Sequence, residues 1–160
     1  MTDPATGSRT VPLARLFAVG YRALIDGLHE RLAERGWPDI RVNYGFVLLA
    51  ARDGGDGGLR GADVAALLGV SKQAASKLLD GLVDAGYITR ERHACDDRAK
   101  LVRLTDRGHA LLAAVEEIYT ELESEWAGLI GVAAVESVRG DLTAVLQRAH
   151  GGRLPVITPP

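Results

Sequence analysis

Apolar positions recur at helical spacing through most of this chain, and one central stretch breaks the rhythm. Over residues 12–35, Leu13, Leu16, Phe17, Leu24, Leu28 and Leu32 fall on one helical stripe. Pro12 suits a first turn, and Gly36 followed by Pro38 ends the element. A second helix is expected over about residues 40–51, carrying Tyr44, Phe46, Val47, Leu48 and Leu49. After residue 104, Thr105 is an expected N-cap, with Asp106 well placed against the helix dipole. Leu111, Leu112, Val115, Ile118, Tyr119, Leu122, Trp126 and Leu129 then form one broad stripe that Gly131 closes. A last helix carries Val135, Val138, Leu142, Val145 and Leu146 up to His150. Residues 1–10 and 151–160 are expected to be tails, the second extended and Pro-bearing.

The break lies between residues 52 and 105. Residues 52–58, Arg-Asp-Gly-Gly-Asp-Gly-Gly, are rich in glycine and aspartate, which invites a calcium or phosphate loop. Calcium-ligand spacing is missing, and no strand precedes a phosphate-type helix turn, so a connector is the better reading. A short helical pattern over 61–68 then stops at Gly69, and a second runs over 70–85. After Gly86, residues 87–93 and 100–104 read as two strands around a polar tip, residues 94–99. Helix, tight turn, helix and two-stranded hairpin are the parts needed to read a DNA groove.

The second helix of this pair has two unlike faces. Ala75, Leu78, Leu79, Leu82 and Val83 are expected inside, together with Val64, Ala65, Leu68 and Val70 around the turn. Ser71, Lys72, Gln73, Ser76 and Lys77 are left outside, with donors and no carboxylate among them. Such a set can bond phosphates and base edges without charge repulsion. On the hairpin tip, Arg98 suits a narrow minor groove, Asp96 can hold its guanidinium, and Lys100 stands beside them. Arg90, Arg92 and Arg103 lie along the strands. Lys72, Gln73 and Lys77 alone would read as a solvated helix face; the turn and the arginine-bearing tip tilt the balance.

The run from Asp96 to Gly108, Asp-Asp-Arg-Ala-Lys-Leu-Val-Arg-Leu-Thr-Asp-Arg-Gly, resembles the wing signature of the MarR family: D-x-R, an apolar strand, L-T and a downstream glycine. Residues 67–88 are similar to that family's recognition helix and first wing strand, and the resemblance spans roughly residues 12–150. It implies a mainly α fold with a small β wing, a winged helix-turn-helix flanked by N- and C-terminal dimerisation helices. It further implies a single domain over 11–150, with a DNA-binding lobe at about 40–104 and dimerisation helices at about 12–36 and 105–150. The expected protein is a homodimer on a near-palindromic double-stranded DNA operator, a repressor released by a small aromatic effector. The Gly-rich connector departs from the family pattern. So does the first helix, which lacks the cysteine of the peroxide-sensing branch.

Composition narrows this further. The net charge of −2 argues against a protein that coats nucleic acid indiscriminately. Residues 59–107 carry nine Lys/Arg against seven Asp/Glu, whereas residues 108–160 carry three against seven, so the cations concentrate where DNA would sit. Glu116, Glu117, Glu121, Glu123 and Glu125 read as the solvated side of an amphipathic helix. Cys95, the one cysteine, excludes an internal disulfide and fits a reducing cytoplasm. With His93 it supplies two of the four ligands a structural zinc needs, so no metal or other cofactor is expected. No nucleophile–base pair stands in the chain, and an enzyme is not expected. No apolar run approaches membrane length and no signal-peptide order opens the chain, so a soluble cytoplasmic protein is expected. The stripes over 13–32 and 111–146 exceed what one small subunit can cover and read as a dimer interface. Tyr21, Tyr44, Phe46 and Tyr119 could line an effector site, but each suits plain core better. A winged helix that binds protein in place of DNA is the remaining alternative.

Overall fold

The computed structural model describes residues 10–55, 58–93 and 96–154, with the side chains of 92–99 outside the description. In chain order the elements are α1 (Leu13–Glu34), α2 (Val42–Asp53), β1 (Leu59–Arg60), α3 (Gly61–Leu68), α4 (Lys72–Asp84), β2 (Ile88–His93), β3 (Asp96–Leu104), α5 (Asp106–Ile130) and α6 (Val132–Ala149). The architecture is mainly helical with one small antiparallel sheet, as expected. The connector starts two residues later than its composition suggests, because α2 runs on through Asp53.

The sheet has a third strand that the sequence pattern does not show. Its order is β1-β3-β2, with Leu59 opposite Val102 and Ile88 opposite Leu104. A two-residue strand has no room to display alternation, so only its partner reveals it.

The core gathers one apolar stripe from each of several elements. Leu28 and Leu32 of α1, Val47 and Leu48 of α2, Val64 of α3, Leu79 and Leu82 of α4, Ile88, Val102, and Leu111 and Ile118 of α5 are all buried. Each fully buried Leu or Ile contributes about 1.5–3 kcal/mol by leaving water. Two expected interior residues are not inside. Val70 lies beyond the α3 turn and Val83 on the outer side of the last turn of α4, and both remain exposed.

Three joints fix α4 in place. Gly69 takes a left-handed φ of 63°, so the N–H groups of Gly69 and Val70 fold back onto the carbonyls of Ala66 and Ala65. That backbone turn redirects the chain from α3 into α4 and favours glycine. At the other end, Thr105 caps α5 as expected, its Oγ1 accepting from the N–H of Gly108 at 3.1 Å. The same hydroxyl donates to the carbonyl of Gly86 at 2.6 Å, tying the start of α5 to the chain leaving α4. Gly108 permits this closeness, since a Cβ there would stand 2.2 Å from the Tyr87 carbonyl oxygen. Arg107, next to it, lies over both the Trp37 and Tyr87 rings, 5.0 and 5.1 Å from their centroids.

Candidate nucleic-acid interface

The exposed face of α4 is built as its pattern requires. Ala75, Leu79 and Leu82 anchor the inner side, and Ser71, Lys72, Gln73, Ser76 and Lys77 are all exposed on the outer side. Ser71 is the N-cap: its hydroxyl oxygen accepts from the Ala74 N–H at 3.2 Å. The hydroxyl's hydrogen remains available, but its oxygen is committed to starting the helix. The first turn of α4 contains no acidic side chain, so nothing within that turn neutralises the positive end of its dipole. Lys72 adds its charge there.

A lock that the sequence did not reveal holds this helix against the sheet. Arg90 of β2 donates to Asp80 Oδ1 at 2.7 Å and to the Ser76 carbonyl at 3.0 Å. The Arg90 side chain is only 19% exposed, while Asp80 on the other side of the pair remains open to solvent. Beside it, Arg60, Gly61, Ala62, Lys72, Ser76, Leu79, Arg90, Lys100 and Val102 line a notch of about 470 Å3. Lys72, Ser76 and Lys100, all singled out from sequence, therefore meet in one place, and Arg60 joins them. Asp96 and Arg98 lie on the backbone of β3, but their side chains, and the expected bond between them, fall outside the described residues. The same holds for Cys95 and its pairing with His93. Among the described residues, no group of His, Cys, Asp and Glu is arranged to hold a metal ion.

The acidic face of α5 corrects one expectation. It is not merely solvated, because its glutamates meet arginines of other helices. Arg35 donates to both carboxylate oxygens of Glu121 at 2.6 Å and stands 3.7 Å from Glu117. Arg31 reaches Glu125, Arg52 of α2 reaches Glu116 at 2.6 Å, and Arg139 of α6 reaches Glu123 at 2.7 Å. The Arg35 hydrogen bond holds the Glu121 carboxyl below its ordinary value, and the Glu121 bond raises Arg35 in turn. The pattern was hidden because the partners lie far apart in the chain.

The apolar stripes divide in two. Leu28, Leu32, Leu111, Leu112, Ile118 and Leu122 are buried inside the chain, so these six side chains serve its own core. Leu13, Leu16, Phe17 and Val19 of α1, Leu129 and Ile130 of α5, and Val138, Val145 and Leu146 of α6 remain exposed. Leu129 is 84% exposed, and α6 has no buried residue at all. Of the aromatic residues considered for an effector, Phe46 is core, Tyr44 and Tyr119 are half-buried, and Tyr21 is exposed. Burial raises the Tyr119 phenol above its ordinary value, with a smaller contribution from Tyr21. The Tyr44 hydroxyl lies against Gly81 of α4, where a Cβ would approach it to 2.8 Å.

Among the described residues, no helix is long and apolar enough to cross a membrane. Residues 46–99 match the model of the MarR family, a span that runs from α2 through the start of β3. Among solved structures, the chain is similar to a cysteine-to-serine mutant of E. coli MarR. That likeness has a TM-score of 0.71 and 25% identity, and covers 87% of this chain and 99% of the other. It is also similar to S. aureus MepR bound to ethidium bromide, with a TM-score of 0.59, 25% identity, and coverage of 89% and 99%. A MepR mutant from S. aureus bound to an oligodeoxyribonucleotide matches with a TM-score of 0.64 and 24% identity, covering 87% and 99%. In its short helix pair, its wing and the helices that flank them, the chain resembles the winged helix-turn-helix structures of the MarR family, whose model matches its central third.

Proposed function

We propose that this chain is a sequence-specific repressor that binds a near-palindromic operator as a homodimer and releases it on binding a small aromatic effector. The observation that carries the DNA half is the outer face of α4: five exposed polar side chains, two of them cationic, on a helix start with no carboxylate. Ser71, Lys72, Gln73, Ser76 and Lys77 face the major groove, while Arg98, steadied by Asp96 and flanked by Lys100, enters the minor groove. The related MepR mutant with its bound oligodeoxyribonucleotide fits this reading. The dimer half rests on the exposed apolar residues of α1, α5 and α6, which a second copy would cover. In this division, residues 40–104 read DNA, and the helices at 12–36 and 105–150 join the two copies.

Ligand response follows from geometry. Two reading helices enter successive major grooves only when about 34 Å apart, so a ligand that favours another spacing weakens binding by its differential affinity. The related MepR with bound ethidium fits an aromatic effector. Catalysis has no part in this scheme, and its setting is the cytoplasm.

Fluorescence anisotropy with DNA from upstream of the chain's own gene, across a salt series, tests the proposal. Steeply salt-dependent binding of two chains per duplex is expected. Replacing Lys72 and Lys77 together by Gln should weaken it by about 10- to 100-fold, at about 1 kcal/mol or more per lost contact. Folding should be unchanged, because both side chains are exposed. A double variant that binds DNA as the parent does would overturn the reading and favour a winged helix that binds protein.

A further inference from the structure

We propose that the notch between β1, the start of α4 and β3 is a seat for one phosphate of the DNA backbone. Arg60, Lys72 and Lys100 hold the phosphate, and Arg90 sets the width of the seat. This rests on the DNA-binding reading and adds to it a backbone contact at the border of the two grooves, where Lys72 on the major-groove side and Lys100 on the minor-groove side come together with Arg60. A helix in a major groove and a wing in the neighbouring minor groove stand on either side of a sugar–phosphate strand. That strand has to cross the space between α4 and the sheet, and the notch lies in that space.

The chemistry of the lining agrees. Among the described lining residues, four are cationic and none is acidic. The cations differ in one respect. Arg90 has its charge answered by Asp80 and its second nitrogen bonded to the Ser76 carbonyl, so it is fixed and works as a spacer between β2 and α4. Arg60, Lys72 and Lys100 have no ion pair among the described residues. The nearest acid in sequence, Asp63, turns its carboxylate back to accept from the Arg60 backbone N–H at 2.9 Å. The Arg60 guanidinium is left at the rim of the notch, exposed. Three cations with no ion pair among the described residues, set around a preset gap, fit a phosphodiester, which needs charge and hydrogen-bond donors but no base-specific pattern. The notch is roomy and open, which suits a strand that passes through.

A phosphate seat makes a quantitative demand that a base contact does not. Each neutralised phosphate contributes about 0.9 to the slope of log affinity against log salt. Arg60→Gln should therefore flatten that slope by about 0.9, and Arg60→Gln with Lys100→Gln by about twice as much. The affinity advantage of the parent over Arg60→Gln should shrink about 3.5-fold between about 50 and about 200 mM salt. Both effects should be the same on the upstream DNA and on an unrelated duplex, since the backbone is common to both. Arg60→Lys should keep the slope, and so should Arg22→Gln, which removes an equal charge from α1. A slope for Arg60→Gln equal to the parent's, or a loss confined to one DNA sequence, overturns the phosphate seat while leaving the regulator reading intact. A parent protein with no salt-dependent binding to any duplex overturns both.

Discussion

The two ends of this molecule solve opposite problems with the same residue types. In the winged-helix half, apolar side chains are buried, and Lys72, Lys77 and Arg60 stand exposed with no ion pair among the described residues. In the helical half, Arg31, Arg35 and Arg139 are matched to glutamates of α5, while Leu13, Phe17, Leu129 and Val145 stand in water. Exposed cations without partners suit a polyanion. An exposed apolar face with neutralised charge around it suits a second protein surface. The net charge of −2 averages over these two regions and describes neither.

The largest effect should come from removing the joint between the halves. Gly108→Ala would place a methyl group on the Tyr87 carbonyl and push α5 away from the exit of α4. Overpacking against backbone costs about 3 kcal/mol, and a urea melt should show the loss. Unchanged stability would mean that the approach at Gly108 is not tight. Next in size, Leu129→Glu should leave a single chain as stable as before, because Leu129 makes little use of its own core. It should weaken self-association by about 2 kcal/mol or more, measured by sedimentation equilibrium. If the variant associates as the parent does, the open apolar end has another purpose.

Ser71 offers a sharper cut between folding and binding. Ser71→Ala should cost about 1 kcal/mol of stability by removing the cap on Ala74. Ser71→Asp keeps a capping oxygen and suits the helix dipole, so thermal stability should hold. The added carboxylate should nonetheless weaken DNA binding several-fold in the anisotropy assay. Equal affinity of Ser71→Asp and parent would place this helix start away from DNA.

The smallest effect concerns the arginine–glutamate seam. Glu121 has its carboxyl depressed by Arg35, so the contribution is present above its ordinary value of 4.5 and fades as pH falls through the lower folded value. Glu121→Gln should lower Tm slightly at neutral pH, and the difference should vanish in acid. A difference that persists in acid would assign the effect to packing.

Some of this was legible in the sequence, for reasons specific to each residue. The two faces of α4 followed from Ala75, Leu79 and Leu82 at helical spacing, because one element carries the whole signal. Thr105 and Asp106 announced the start of α5 through local capping chemistry and the helix dipole. What stayed hidden depends on distant pairs. Arg90 looked like a strand cation until Asp80 and the Ser76 carbonyl were beside it. Arg60 gave no signal because its strand is two residues long. The α5 glutamates looked solvated because Arg31 and Arg35 sit more than eighty residues earlier. Val70 and Val83 misled in the other direction, since a hydrophobic residue at the end of a helix need not be covered.

The division of labour between the two ends is tested most directly by sedimentation velocity of the chain alone and mixed with duplex from upstream of its gene. The account predicts a dimer in the absence of DNA and a complex of two chains on one duplex. A chain that sediments as a monomer, or a dimer whose boundary does not move when duplex is added, would contradict it.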